Sequence, residues 1–350
     1  MIGQSTVELR QEFYRKLDAE CMAPLWESLH SLVPKAPVTP AVPMLWRYDE
    51  VVRPELMRAG ELVTAEEAER RVLILENPGL RGKASVTHSL YAGIQSVRPG
   101  EVAPAHRHVQ SALRFILESS GGYTAVDGER TILHPGDFVL TPSMRWHDHG
   151  NETDQPLIWL DGLDIPTIAH FDAGFAEAAP ASRQTEVRPS GDSDHRFGQT
   201  MLPVDWRAGD LNSPILNYPY SRSRAALEGM AKGGDPDPYH GHKLRFVNPA
   251  TGGAPMPTIG AFMQLLPEGF ETRPYRATDG TVFVCVEGEG TSRIGDRGFA
   301  WRKNDVFVVP SWYTVKHHAA AASVLFSFSD RPAQQALGIW RDERMKEDEA

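Results

Sequence analysis

The residues in this chain whose types and spacing could do chemistry together are His106 and His108, one residue apart, and His147, about forty residues later. In a strand, side chains at i and i+2 face the same side. His106 and His108 can therefore present two imidazoles to one face of a sheet, and a later strand folding back across that face could bring in His147. Three ring nitrogens with open coordination positions would make a metal site, and imidazole suits iron, zinc, copper and nickel. A lone His-x-His often only decorates a surface strand, so the weight rests on its surroundings. Residues 100–151 open with GEVAPAHRHVQSALRF, pass through an apolar, glycine-containing middle, and close with HPGDFVLTPSMRWHDHGN.

Written as spacings, this is Gly100-(x5)-His106-x-His108, then Gly136-(x5)-Pro142-(x4)-His147-(x3)-Asn151. The frame resembles the paired motifs of the cupin superfamily, small antiparallel barrels built around a metal. It departs from them at one point. The cupin pattern places a Glu four or five residues after the second His, where this chain has Ala112 and Leu113, then Arg114. With no carboxylate there, the expectation is a site of three histidines. A metal-free barrel with leftover histidines is the competing reading, and the presence of both halves of the motif in order weighs against it.

The elements that must position these groups are legible in outline. At 350 residues and 41% hydrophobic content, the chain can form two domains with real cores. The net charge is −10 and no Lys/Arg-rich run occurs, which argues against nucleic-acid binding. No apolar run approaches the roughly 20 residues of a membrane span, and MIGQSTVELRQEF lacks the apolar region of a secretory signal. Cys21 and Cys285 lie far apart and form no disulfide framework. A reducing cytoplasm fits best.

In order, residues 1–71 read as a helical arm and connector. Leu9, Phe13, Leu17, Cys21, Leu25 and Leu29 recur at near-helical spacing over 6–32, with Pro24 as a break. A proline-rich connector follows over 34–43, then helical pieces VVRPELMRAGELV and AEEAERR. From residue 72 the texture changes to short β-type runs separated by Gly, Pro and Asp: VLILENP, SLYAGIQSV, ALRFILE, YTAVDGER and DFVLTPS. Asp127-Gly128 is a hairpin signal. Residues 72–165 are expected to form a first, metal-bearing barrel, and 166–243 an irregular connection with a few helical turns.

A second β-rich block spans 244–330, and 331–350 reads as a C-terminal helix and tail. Gly136-Asp137-Phe-Val-Leu-Thr-Pro matches Asn304-Asp305-Val-Phe-Val-Val-Pro, and the run from Phe115 loosely matches the run from Phe283, an internal duplication. The second copy has Glu271-Thr-Arg-Pro-Tyr-Arg where the histidine pair should be. It is expected to be structural, with His317 and His318 in ordinary polar or interface roles. The fold class is thus mainly β, a bicupin of two antiparallel barrels (double-stranded β-helices) with an N-terminal helical arm.

The segments YAGIQ (91–95), APAHRHVQSALRF, AVDGER, RWHDHGN, WLDGLDIP, SPILNYPYSRSR, RFVNPATGGAPMP, VFVVPSW and LFSFSDRPAQQALG narrow this further. Together they resemble the gentisate 1,2-dioxygenase family of ring-cleaving bicupins, over most of the chain. The resemblance implies Fe(II), molecular oxygen, a small aromatic hydroxy acid as substrate, and a homo-oligomer, often a tetramer. Cleavage would fall between the carboxyl-bearing and hydroxyl-bearing ring carbons, giving maleylpyruvate from gentisate. Similar members open salicylate or 1-hydroxy-2-naphthoate, which stand as alternative substrates. It also implies that Gln95 and Asp161 lie near the site as hydrogen-bond partners of substrate or ligand. Arg70 matches a family arginine of the substrate pocket, although by itself it reads as a solvated helix charge.

Further readings concern Arg114, His149, Tyr91, His134 and Trp146. Arg114 sits at an even offset from His108, flanked by Leu113 and Phe115, and its planar fork suits a substrate carboxylate. His149 is two residues past His147 and is a candidate proton acceptor or oxygen-side donor, or the ligand in place of His147. Tyr91 could shape the pocket or reach a second substrate hydroxyl, or simply pack in the barrel wall. His134 and Trp146 read as a turn residue and a packing residue. Two other functions compete: a metal-dependent cupin isomerase or decarboxylase, which the missing Glu disfavours, and a non-catalytic metal-binding bicupin, which the intact histidines and Arg114 disfavour.

Overall fold

A computed structural model describes residues 5–199, 201–207, 209 and 211–346; residues 1–4 of the expected arm and 347–350 of the expected tail lie outside them. The chain divides between Val38 and Thr39 into two compact units. The first contains helices Thr6–Ala19 and Leu25–Leu32. Ser5 starts the first with a capping box: its hydroxyl accepts from the Glu8 N–H while the Glu8 carboxylate accepts from the Ser5 N–H. Pro24 caps the second, so the break falls where the proline predicts it. The Tyr14 hydroxyl links the two helices by donating to Glu27 (2.5 Å) and accepting from Trp26 Nε1 (2.8 Å).

Among the described residues the second unit contains four antiparallel sheets in two pairs, with helices Arg53–Leu62, Ala65–Ala68 and Tyr220–Gly233 in its connections. The first barrel combines a six-stranded sheet and a five-stranded one. The larger has the order Asn217–Tyr218, Phe138–Thr141, Ala112–Glu118, Leu157–Leu163, Tyr91–Val97, Val72–Ile74. The smaller has the order Ala176–Ala178, Val102–His108, His147–Gly150, Tyr123–Val126, Glu129–Ile132. The second barrel repeats this plan. Its larger sheet runs Met44–Trp46, Val306–Val309, Thr281–Glu287, Ser323–Ser329, Gly260–Leu266, His242–Arg245. The Asp127-Gly128 turn closes its hairpin with φ of 47° and 78°, as expected.

The duplication is visible at atomic detail. Gly136 (φ 87°) and Asn304 (φ 66°) make the same left-handed turn. Each donates its N–H back to the preceding strand, Gly136 to the Ile116 carbonyl (2.8 Å) and Asn304 to that of Cys285 (2.7 Å). These bonds pair Ile116 with Cys285, one residue off the match of Phe115 to Phe283. The counterpart of Arg114 is therefore Phe283. Both strands carry a register shift just beyond this point, so the offset arises in the connection to the turn, which is one residue shorter from Cys285 to Asn304 than from Ile116 to Gly136.

Some elements were not anticipated. Met44–Trp46 and Asn217–Tyr218 are short strands that each complete the larger sheet of the barrel not following them in sequence. Their pairings span hundreds or tens of residues and leave no local pattern. The C-terminal helix expected to run to about residue 345 stops at Ala336, before Gly338 at φ 72°. Asp342–Arg344 then forms a strand against Tyr275–Ala277.

The two larger sheets face each other across one core. Phe115 stacks on Phe326 at 4.2 Å between centroids, and Leu113, Leu160, Val284 and Phe328 are buried with them. Because neighbours along a strand alternate faces, Phe115 in this core sends Arg114 into the first barrel. Two buried aspartates clasp the halves reciprocally. Asp164 accepts from the Ser111 N–H (2.9 Å) and, across the interface, the Thr258 hydroxyl (2.5 Å). Asp330 accepts from the Gly280 N–H (3.0 Å), the Gln334 amide (3.0 Å) and, across the interface, the Ser89 hydroxyl (2.7 Å). Asp330→Ala strands these donors, at a cost of about 2–3 kcal/mol. A thermal melt should show Tm falling by several degrees, against no change for the exposed Asp154→Ala; equal melting of the two variants would contradict the clasp.

Candidate functional site

His106 and His108 end the strand Val102–His108, and His147 begins the strand beside it, directly opposite His106. One nitrogen from each of the three lies within 4.8 Å of the others. The ring centroids are 4.0 Å apart for His106 and His147, 4.9 Å for His108 and His147, and 5.2 Å for His106 and His108. The backbone fixes two tautomers. His108 Nδ1 lies 2.7 Å from the Gln110 carbonyl and His147 Nδ1 2.9 Å from that of Arg145. A carbonyl only accepts, so Nδ1 carries the proton and Nε2 presents its lone pair, the orientation metal-ligating histidines need. His147 Nε2 is buried and without a partner, an orphaned acceptor that a metal ion would satisfy.

Electrostatics favour the same use. Burial pushes His106 down to about 3, helped by the Arg70 and His108 charges. Burial likewise pushes His108 down to about 4, against the opposing bond to Gln110, and His147 well below the ordinary range. All three imidazoles are neutral near pH 7, and neutral imidazole is the form that ligates. The donor set therefore fits a divalent transition metal.

His149 stands apart from this group. Its Nδ1 meets the Thr124 hydroxyl at 2.7 Å, and its ring lies 5.7 Å from His147 and 5.2 Å from Trp159. Its Nε2 is buried and unpartnered, and burial and Arg114 keep it neutral. The geometry gathers His147, not His149, with His106 and His108.

Arg114, Asp161, Gln95 and Tyr91 share one face of the larger sheet, as their cross-strand register requires. Arg114 is 4% exposed. It donates to the Thr141 hydroxyl and lies 3.4 Å from Asp161 Oδ1 through Nε. Asp161 also accepts from Trp159 Nε1 at 2.8 Å. Burial raises the Asp161 carboxyl to about 6, with Arg114 opposing the rise. The Gln95 amide Nε2 is buried without a partner. The Tyr91 phenol is pushed up by burial and by Asp161. The even offset between His108 and Arg114 turns out to be incidental. Residues 109–111 lie between the two strands, and it is the placing of Phe115 that turns Arg114 inward.

Arg70 is not a solvated helix charge. The short helix ends at Ala68 and Glu69 takes φ 50°, which swings Arg70 to the Pro104 carbonyl (3.1 Å) and against His106 Nδ1. Burial and the nearby Arg114 lower it to about 10, so it stays charged at neutral pH.

Sequence reading missed Thr141, Trp159, Val72 and Gly93. Gly93 follows Tyr91 at i+2 in YAGIQ, a parity that could have found it. A Cβ there would fall 2.6 Å from Val72 Cγ1 and 2.7 Å from the Tyr91 hydroxyl. Gly93→Ala should displace Tyr91 and change substrate KM severalfold with metal content unaltered. Steady-state kinetics beside metal analysis would check this, and an unchanged KM would remove Gly93 from the pocket wall. A cavity of about 540 Å³ lined by Asp127, Arg145, Arg188 and Trp206 includes none of these groups.

Comparison with known proteins agrees with this geometry. Residues 93–163 match the family described as the cupin domain. The chain is 56% identical to gentisate 1,2-dioxygenase 1 of Aquipseudomonas alcaligenes over 96% of both chains. It is 38% identical to 5-aminosalicylate 1,2-dioxygenase of a Comamonas species, over 92% of this chain and 87% of that one. The fold superposes with TM-score 0.91 on the crystal structure of salicylate 1,2-dioxygenase from Pseudoaminobacter salicylatoxidans with gentisate, 36% identical, covering 98% and 96% of the two chains.

Proposed function

Given that the chain belongs to the gentisate 1,2-dioxygenase family of ring-cleaving bicupins, we propose that His106, His108 and His147 hold iron(II) and that the enzyme opens gentisate with O2. The ring bond between the carboxyl-bearing and the adjacent hydroxyl-bearing carbon breaks, and both oxygen atoms enter the product, maleylpyruvate. No external reductant is needed. The observation that carries this is the set of three neutral imidazoles facing one point with no carboxylate among them. Bound iron(II) would supply the redox chemistry between ring and oxygen and lower the pKa of a coordinated hydroxyl.

The chain's own groups do the rest. Neutral ligands leave the site positive, so an anionic substrate is favoured. Arg114, held by Thr141 and Asp161, offers its fork to the carboxylate. Asp161 sets the position of Arg114 rather than meeting substrate. His149 Nε2, with Nδ1 engaged by Thr124, is free to take the hydroxyl proton. Gln95 Nε2 can donate to substrate, and Arg70 adds positive charge beside His106. Tyr91, over Gly93, shapes the wall that meets the ring's far side. Ring substituents would be discriminated there, which makes salicylate and 1-hydroxy-2-naphthoate the second substrates to try.

Residues 72–165 and 244–330 are proposed as the two barrel domains, only the first holding metal. A homotetramer is proposed from the family and from the exposed apolar side chains Leu9, Phe13, Trp26 and Leu29 of the N-terminal helices. A cytoplasmic location fits two free cysteines, and no helix among the described residues is long and apolar enough to cross a membrane. Metal identity is tested by anaerobic loading of stripped protein with iron(II), manganese(II) or zinc(II). Ring opening is expected with iron(II) and not with zinc(II), which cannot change oxidation state; equal turnover with zinc would overturn the assignment.

A further inference from the structure

The second barrel has a cavity of its own, in the place that corresponds to the metal site of the first. The strand registers align the two residue by residue. Tyr275 stands opposite Val315 as His106 stands opposite His147. His317 meets the Ser292 hydroxyl through Nδ1 at 2.7 Å, as His149 meets Thr124. Lys243 lies across from Gln264 as Val72 lies across from Gln95. The copy has thus lost the metal ligands, kept the histidine and glutamine, and gained an ammonium where the first barrel has an apolar wall residue. Lys243, Gln264, Tyr275, Asp279, His317 and Arg331 all line this cavity of about 30 Å³.

Its charges do not balance. Asp279 is the one carboxylate in the lining. It is taken by Arg331 (3.3 Å) and by Trp340 Nε1 (2.7 Å). Lys243 makes no ion pair and no hydrogen bond from its ammonium among the described residues. Its contacts are the ring faces of Phe262 and Phe283, at 5.1 and 5.6 Å. Burial and the Arg331 charge push it down to about 7, with Asp279 opposing the shift, and His317 is neutral; with Asp279 engaged by Arg331, the positive charge left in the cavity is that of Lys243 in its protonated form. Lys243 is half-buried, and a cation drawn partly out of water with no direct counter-ion is costly. Ser327 Oγ, at the position equivalent to Asp161, is also buried without a partner.

We propose that the second barrel is a binding site for a small monovalent anion, of halide or short-carboxylate size, with Lys243 as its counter-cation. The volume admits about two water-sized groups, which excludes an aromatic acid and separates this site from the catalytic one. Occupancy would neutralise Lys243 beside the wall shared with the first barrel, so the anion acts as a stabilising ligand of the fold.

The test compares full-length protein with Lys243→Met, a change that keeps the stem and removes the charge. Thermal melts are run against sodium formate, sodium bromide and sodium sulfate at matched ionic strength. A crystal soaked in bromide locates the ion by its anomalous signal. The expected result is a saturable Tm rise of a few degrees in the unsubstituted protein, absent in K243M, with a bromide peak beside Lys243. A rise with formate alone assigns a carboxylate site, and a rise with both assigns a general monovalent-anion site. Equal salt responses in the two proteins would overturn the proposal. So would a bromide peak without saturation in solution, which is binding at crystal concentration only. A higher Tm of K243M with no anion response in the parent would mean a neutral, unliganded lysine and would also overturn it.

Discussion

His106→Ala is expected to abolish iron binding and to lower turnover by at least about a thousandfold. Three nitrogens converge within 4.8 Å, and among the described residues the group that could hold a metal contains no carboxylate; the fourth and fifth residues after His108 are Ala112 and Leu113. Loss of outer-shell partners alone typically costs 10–100-fold in metal affinity or activity, so loss of a ligand should exceed that. His106 is only half-buried at a strand end, and its removal should leave the barrel folded. Metal analysis by mass spectrometry, with Tm as a folding control, reads the outcome. The companion variants decide between the neighbouring histidines. His147→Ala should also lose iron, whereas His149→Ala should keep it and lose rate. The reverse pattern would make His149 the ligand.

Arg114→Ala is expected to reduce kcat/KM by about 100- to 1000-fold with iron content intact. A charge-assisted, two-pronged contact to a carboxylate in an enclosed site is worth about 3–4 kcal/mol. Arg114→Lys should recover only part of it, because an ammonium cannot reproduce the planar fork. The substitution also leaves Asp161 without its cation. The Asp161 carboxyl is already raised to about 6 by burial and would rise further. A carboxyl whose folded pKa exceeds its unfolded value of about 3.9 binds more protons in the folded state, so stability falls as pH rises through that window. The Tm deficit of Arg114→Ala should therefore be greatest above pH 6 and shrink toward pH 4. A deficit independent of pH, or unchanged kinetics, would remove Arg114 from the pair or from the site.

The parts of the site that lie on regular strands were legible in the sequence. His106 and His108 share a face because the strand is regular between them, just past an irregularity between Ala103 and His106, and the reversal at Gly136 and Pro142 returns the chain so that His147 meets His106. A parity count across residues 109–111 puts Arg114 inside although no strand continues there; Arg114 faces inward because Phe115 seeks the apolar core between the barrels. Arg70 could not be placed from local pattern, since its position depends on one left-handed residue, Glu69. The duplication was visible at Asp137 and Asp305 and slipped by one residue at Phe283, because the connection between the matched strand and the matched turn is one residue shorter in the second copy. The strands Met44–Trp46 and Asn217–Tyr218 exist only by virtue of distant partners.

The proposed iron(II) centre on His106, His108 and His147 would open gentisate with dioxygen. Its most direct test is oxygen uptake by anaerobically iron-loaded protein given gentisate, salicylate and 1-hydroxy-2-naphthoate in parallel, with ultraviolet absorbance following the ring-opened product. The expected result is one O2 consumed per gentisate opened, with slower or no uptake for the other two acids. Iron retained with no uptake for any of the three would contradict the account and make the protein a metal-binding bicupin without oxygenase activity.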